Sequence, residues 1–349
     1  MAKQDFLVRS GAPSLVIKPR KLKPVALRKV WWTAVAAIGC CVVSGMAYEA
    51  LATYRHRMIA APGKLVDAGG YRLYVDCRGQ GSPTVVIESG LGDASDVWQD
   101  LLPKFSAMSR TCAYDRAGLG RSENGRLPRS AEQIAKELRA WLRHSGEAGP
   151  HIFVAHSMGG YPVRVFAKEY PNEVAGLLLL DVSHPDQNQR ESAAANKDRD
   201  DFMVKQAWWG RLAPFGITRM LGHCEYHPQD CGRSFRTTLY EYEAFSNISP
   251  AQVRATGKLG DLPIIVISHD PQVEIAQVSN ATTRRDEAVD LQMQQELSEL
   301  STRGCLLIAS GSGHYVQDAR PDMVLESLQR LLQNSRTGAE TRTLCDGIH

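Results

Sequence analysis

The sequence predicts an α/β protein built on a mostly parallel sheet and preceded by a single apolar helix. Three observations predict it. Short, wholly apolar runs such as PTVVI (83–87), VAGLLLL (174–180) and LPIIVIS (262–268) suit strands covered on both faces. Segments with helical apolar periodicity lie between such runs, and that alternation marks parallel β–α units. Ahead of them, VWWTAVAAIGCCVVSGMAY (30–48) carries no charge and is long enough for a bilayer-spanning helix.

The elements follow in order. Residues 1–29 hold eight Lys/Arg against one acid, Asp5, although the whole chain is only +3, so the body is mildly acidic. A basic tail on an acidic body does not describe a nucleic-acid-binding surface, and no nucleic acid is expected as a partner. The tail instead flanks the apolar run, in which Trp31-Trp32 lies where interfacial aromatics concentrate. The far flank has only Arg55, Arg57 and Lys64 close by, so the positive-inside rule keeps the N-terminus cytoplasmic and exports the body, to the periplasm in a bacterium. This gives a cytoplasmic tail (1–29), a signal anchor (30–52) and a linker (53–66) broken at Ala61-Pro62-Gly63. A cleaved signal peptide ending near Ala50–Ala52 and a buried core helix are the competing readings. The run is longer than a usual signal core, and Gly39, Gly45 and its uniform apolarity disfavour a packed soluble helix.

Beyond the linker, YRLYVDC (71–77) alternates like a strand, PTVVI follows, and RTCAY (110–114) is a third. Ser130 with Gln133 makes a capping box for a helix whose apolar face is Ile134, Leu138, Trp141 and Leu142. IFVA (152–155) is the next strand, and the helix after Ser157 ends by Pro171. VAGLLLL and LPIIVIS are separated by about eighty residues without a strand, too long for a plain connection. That interval holds Trp208-Trp209, Phe215 and an aromatic patch from Tyr240 to Phe245. A helix marked by Val289, Met293, Leu297 and Leu300, the strand CLLIA (305–309) and a helix from Pro321 complete the body.

The chemistry centres on FVAHSMGG (153–160). A serine needs a neighbouring base, and the base needs an orienting carboxylate. Ser157 stands between a strand and an apolar-periodic helix, the setting of a nucleophile elbow written G-x-S-x-G, here with Ala155 for the first glycine and Gly159 for the second. As a bare motif it reads equally well as a helix cap. The downstream residues favour catalysis: His314 lies in a Gly/Ser loop after the last strand, and Asp270 ends IIVISHD on the strand before it. Asp181, ending LLLLD, is the alternative acid; Asp270 is preferred because it follows the long interval. The developing oxyanion requires donors, for which the backbone N–H groups of Met158 and of Leu91 in the loop Ser89–Gly92 are the candidates.

The spellings VVIESGLGDASDVW, CAYDRAGLGRS, FVAHSMGGYPVRVFA, LLLLDVSHPDQ and SGSGHYVQDARPDMV together resemble the α/β-hydrolase fold superfamily, from about residue 65 to 335. The resemblance implies a mostly parallel eight-stranded sheet, with a core of 67–185 and 262–335. It also implies a helical lid after the sixth strand, taken as 186–261, followed by a C-terminal tail (336–349). It implies a serine hydrolase of the carboxylesterase or lipase kind acting on a small-molecule ester without cofactor or metal. Amide, carbon–carbon and cofactor-free perhydrolase chemistry are the alternatives, followed by a non-catalytic binding protein on the same fold. Relatives with an aspartate nucleophile, the epoxide hydrolases and haloalkane dehalogenases, do not match Ser157. In DRAGLGRS, Asp115 and Arg116 are expected to brace a turn. The implied sheet brings Cys77 beside Cys112, and an exported body favours further bridges Cys224–Cys231 and Cys305–Cys345. His223, Cys224, His227 and Cys231 are a competing, less favoured zinc set.

Overall fold

A computed structural model describes residues 24–224, 228–337 and 344–348. The basic tail as far as residue 23, His227, and residues 338–343 and 349 of the C-terminal tail lie outside them. The chain divides into two units, Met1–Ser44 and Gly45–His349.

The first unit, where described, is part of one helix, Pro24–Met58, in which a window reaches a mean hydropathy of 1.7 and is long and apolar enough to cross a membrane. The helix continues through EALATYRHRM because these are mostly good helix formers, so the expected linker 53–66 begins as helix. Strand β1 (Lys64–Asp67) claims its other end.

The remaining strands are β2 (Arg72–Arg78), β3 (Thr84–Glu88), β4 (Thr111–Tyr114), β5 (His151–His156), β6 (Val174–Leu180), β7 (Ile264–Ser268) and β8 (Gly304–Ile308). They form one eight-stranded sheet in the order β1-β2-β4-β3-β5-β6-β7-β8. β1, β2 and β4 pair antiparallel, and every pairing from β4 through β8 is parallel. Each residue of β3, β5 and β7 is buried, as expected of apolar strands sandwiched between helices. On one face, Trp141, Phe153 and Phe166 join one core; on the other, Trp98, Phe105 and Leu328 join a second.

Of the expected capping box the Ser130 half forms, while the Gln133 side chain donates to Tyr71 and Glu137 instead. Ser130 Oγ accepts from Gln133 N–H (3.4 Å) at the start of the helix Ala131–Ser145, and Gly146 ends it with φ 79°. Three cysteine pairs lie at bonding distance: Cys77–Cys112, facing each other in register across β2 and β4, Cys224–Cys231, and Cys305–Cys345. The second pair joins both sulfurs of the competing zinc set.

Among the described residues, five α-helices run between β6 and β7: Gln187–Arg190, Ala193–Leu212, Ile217–Met220, Cys231–Asn247 and Ser249–Arg254. This helical insertion fills most of the interval 186–261. Its helix Cys231–Asn247 lies against the two Gly-containing loops of the core. A Cβ on Gly92 would stand 2.5 Å from Thr238 Oγ1, and one on Gly118 would stand 2.2 Å from Thr237 Oγ1.

Candidate active site

Strand β5 ends at His156 and the chain turns at once into the helix Gly160–Glu169, leaving Ser157 with φ 54°. A left-handed non-glycine residue costs about 1–3 kcal/mol, which the surroundings must impose. They do so by crowding. A Cβ on Gly159 would lie 2.6 Å from the Glu88 carbonyl oxygen and 2.8 Å from that of Ser89, and one on Gly160 would meet Val182 at 2.6 Å. Only glycine fits those two places. Ala155 lies inside β5, paired with Glu88 and Leu179, and its methyl group is fully buried in the core. The missing glycine of the motif therefore falls where the turn has not yet begun.

The loop after β8 carries His314 to this serine. His314 Nε2 is 3.0 Å from Ser157 Oγ, and His314 Nδ1 is 2.6 Å from Asp181 Oδ2. The preferred acid, Asp270, does not make this contact. Its carboxylate caps the helix Pro271–Gln277 by accepting from Gln272 N–H (2.9 Å), and it accepts from Gly311 N–H (2.9 Å). Those two backbone donors hold its pKa below the ordinary value. Asp270 thus fastens the loop that bears His314, while the alternative acid, Asp181, meets the imidazole. The physical reason is strand register. Parallel pairing sets Leu180 opposite Ile267, so β6 and β7 finish side by side, and Asp181, with φ 45°, turns toward the centre of the sheet.

A second imidazole reaches Asp181 from β7. His269 donates its backbone N–H to Asp181 Oδ1 (3.0 Å), and its Nδ1 is 2.8 Å from the same oxygen. Its Nε2 faces Glu287 Oε2 at 2.8 Å, and Asp290 lies 3.7 Å from Nδ1. Burial opposes the charge on this ring, but the hydrogen bonds it donates to the Asp181 and Glu287 carboxylates raise its pKa to about 11, making it an imidazolium at neutral pH. Burial likewise opposes charge on Asp181, yet His269 and His314 hold its carboxyl well below the usual range. For His314, whose side chain is half exposed, loss of part of its water favours the neutral ring, and the Asp181 hydrogen bond and charge overcome it and raise the pKa. Asp290 is pushed up to about 7 by burial and by Asp181. His269, Glu287 and Asp290 belong to no motif legible in the sequence. The only available signal was that His269 immediately precedes an acid at a strand end.

His156, next to Ser157 in the chain, is neutral. Burial, reinforced by the charge of His314, depresses its pKa to about 3. Its Nε2–H donates to the His314 carbonyl (3.0 Å), tying the histidine loop to the end of β5.

The loop after β3 closes the other side of Ser157. A Cβ on Gly90 would lie 3.3 Å from Ser157 Cβ and 3.0 Å from His156 Nδ1, so this backbone passes directly against the serine. Asp93 N–H donates to the Gly90 carbonyl (3.1 Å), and Gly92, with φ 73°, takes the turn position that needs glycine. Arg116 holds the loop from beneath. It is 1 % exposed, donates to the carbonyls of Ser89 (2.7 Å) and Gly90 (2.6 Å), and pairs with Glu88 (3.0 Å) and with both oxygens of Glu241 (2.7 and 2.9 Å). Glu241 in turn accepts from Gly92 N–H (3.0 Å). Tyr114 donates to the second oxygen of Glu88. Arg116 is therefore more than the turn brace expected from its motif, because it links loop, sheet and helical insertion. Asp115 does brace its turn, accepting from Ser95 N–H and Arg121 N–H at 2.8 Å each.

The family model for the alpha/beta hydrolase fold matches residues 83–321. The chain is 29% identical over 182 residues to YbdG, an uncharacterized protein of Bacillus subtilis (strain 168), covering 52% of this chain and 54% of that one. It spans about half or less of the length of the first curated relatives it matches. Among solved structures, a haloalkane dehalogenase DbeA loop variant from Bradyrhizobium elkanii aligns with a TM-score of 0.62 at 16% identity, covering 79% of this chain and 97% of that one. A thermophilic esterase from Thermogutta terrifontis aligns with a TM-score of 0.55 at 18% identity, covering 79% and 100%. A family match of this extent, resting on this sheet, makes the chain a member of the alpha/beta hydrolase fold family.

Proposed function

We propose that the protein is a membrane-anchored, extracytoplasmic serine hydrolase that cleaves carboxylic esters through an acyl-enzyme. The observation that carries this reading is the unbroken series Ser157 Oγ to His314 Nε2 (3.0 Å), then His314 Nδ1 to Asp181 (2.6 Å). In this mechanism Ser157 Oγ attacks the acyl carbon while His314 Nε2 accepts its proton. The same proton then passes to the departing alkoxide. Water repeats the sequence on the acyl-enzyme, with His314 again as base. Asp181 stays ionised, holds Nδ1–H in place and stabilises the imidazolium. The oxyanion is received by the backbone N–H groups of Met158 and Leu91, for which donors of this kind contribute about 10²–10³ each in rate. The approach of the Gly90–Gly92 backbone to Ser157 supports that assignment.

The helical insertion acts as a lid, since its helix Cys231–Asn247 covers the oxyanion loop and engages it through Glu241. The apolar helix supports anchoring, and the three cysteine pairs support an oxidising compartment outside the cytoplasm.

Labelling tests the nucleophile. A fluorophosphonate probe transfers its phosphonyl group to an activated serine with loss of fluoride. The tryptic peptide containing Ser157 is expected to carry the label, and the Ser157→Ala protein to carry none. An unlabelled parent, or equal labelling of Ser157→Ala, refutes the reading.

His269 is assigned a positioning role that acts through Asp181. In His269→Gln one donor to Asp181 survives and the positive charge is lost. That charge lowers the affinity of His314 for its proton. Without it, the acid limb of the kcat/KM profile is expected to move to higher pH, with kcat lower by about tenfold, the scale of one charge-assisted hydrogen bond. An unmoved limb in a folded variant contradicts the role.

A further inference from the structure

The loop that passes against Ser157 carries a carboxylate that the mechanism does not use. A Cβ on Gly90 would lie 3.3 Å from Ser157 Cβ, and the same point is 2.9 Å from Asp93 Oδ2 and 3.0 Å from His156 Nδ1. Asp93 is thus turned toward the nucleophile. An aspartate in a turn ordinarily accepts from a backbone N–H close by. Asp67 does so from Gly70 and Asp270 from Gln272, each at 2.9 Å. Asp93 does not: among the described residues no hydrogen bond or ion pair reaches its half-buried carboxylate.

The groups around it offer no donor. Arg116, beneath the loop, has given its N–H groups to Glu88, Glu241 and the carbonyls of Ser89 and Gly90. His156 Nδ1 is itself buried and unpaired, and with Nε2–H given to the His314 carbonyl it is a bare acceptor. Burial raises the Asp93 pKa to about 6, against the pull of Arg116 and His314, so the group is largely ionised at neutral pH. A charge that is partly desolvated and unpaired is costly to keep.

Its position also bears on the reaction. Attack on an ester builds negative charge on the carbonyl oxygen at the Met158 and Leu91 donors, and an unbalanced carboxylate beside it opposes that charge. A substrate with its own positive charge near the carbonyl removes the opposition by pairing with Asp93.

We infer that Asp93 is a specificity-determining residue, and that the esters taken by this site carry an ammonium group close to the acyl carbon. This assignment rests on the serine esterase reading and narrows its substrate class.

Two matched ester pairs test it on the full-length protein in detergent. On the acyl side, the p-nitrophenyl ester of trimethylammonioacetate is set against that of tert-butylacetate, its uncharged isostere. On the alcohol side, acetylthiocholine is set against the analogue with carbon in place of its nitrogen. In at least one pair the parent is expected to prefer the cationic ester in kcat/KM, corrected for spontaneous hydrolysis. Asp93→Asn keeps the shape and removes the charge. It is expected to lower the cationic-to-neutral ratio by about tenfold or more, the lower end for a close charge pair. Labelling of Ser157 by an uncharged fluorophosphonate checks that both proteins are folded, and the parent's own preference reads the site independently of the variant. If both proteins are labelled, an unchanged ratio in both pairs overturns the assignment and leaves the serine reading standing. A labelled parent that turns over neither cationic ester does the same. If neither protein is labelled, the serine reading fails and the assignment with it.

Discussion

Asp181→Asn is expected to lower kcat on a short p-nitrophenyl ester by about 10⁴-fold, the scale seen when a triad carboxylate becomes an amide. The loss comes from proton placement. Asp181 accepts from His314 Nδ1–H at 2.6 Å. An amide NH₂ in that place donates instead, so Nδ1 must become the acceptor and Nε2 must carry the hydrogen. Nε2 then faces Ser157 with no lone pair to receive its proton. Folding is spared, because asparagine tolerates the positive φ at this position. Asp270→Asn is the control. Asparagine caps a helix about as well as aspartate, so the Gln272 contact persists and only the Gly311 bond weakens. Its activity is expected within about tenfold of the parent, equivalent to no more than one weakened hydrogen bond. The pH profile separates the two further. Asp181 raises the His314 pKa, and catalysis requires the neutral ring, so kcat/KM falls as pH drops through that raised value. The limb moves to lower pH in Asp181→Asn and stays in place in Asp270→Asn. A larger loss at Asp270 than at Asp181 overturns the assignment.

Arg116→Met is expected to destabilise the body by about 3–5 kcal/mol, because it removes one partner of a buried ion cluster and leaves the others uncompensated. Thermal unfolding in detergent is expected to fall by roughly 6–20 °C. Glu88 and Glu241 are 0% exposed and have the guanidinium between them. Burial already raises the Glu88 pKa to about 7, against the pull of Arg116 and Tyr114. Without Arg116 it rises further, so over the range between the unfolded value near 4.5 and the raised folded value the native state binds more protons than the unfolded state. Stability therefore falls as pH rises through that window, and the variant recovers part of its loss when pH is lowered from 8 toward 5. Activity is expected to suffer even where the variant folds, since the carbonyls of Ser89 and Gly90 lose the donors that fix the loop beside Ser157. Unchanged unfolding temperature and turnover would mean that the cluster holds neither the fold nor the loop.

What was legible in the sequence was local. The apolar runs at 83–87, 174–180 and 262–268 became strands, because full burial on both faces requires unbroken apolar sequence. The Ser130 cap was readable because its partner is three residues away. β1 was not readable: four residues with one buried side chain carry no pattern apart from their pairing with β2. Nor was the reach of Arg116, whose partner Glu241 is 125 residues further along the chain. The choice between two acids was of the same kind. Both end strands in the right order, and spacing cannot say which one a loop will bring to His314.

The sequence by itself therefore determined the succession of elements, the apolar helix, the serine on its turn and the histidine after the last strand. Each depends on residues close together in the chain, through periodicity, capping and steric demand at a tight turn. Only the tertiary structure decided that Asp181 meets His314, that Asp270 holds the histidine loop, and that His269 stands behind Asp181 with Glu287 and Asp290. Those contacts follow from the register of β6 against β7 and from the direction a positive φ gives one carboxylate. Register and direction are settled by packing across the whole sheet.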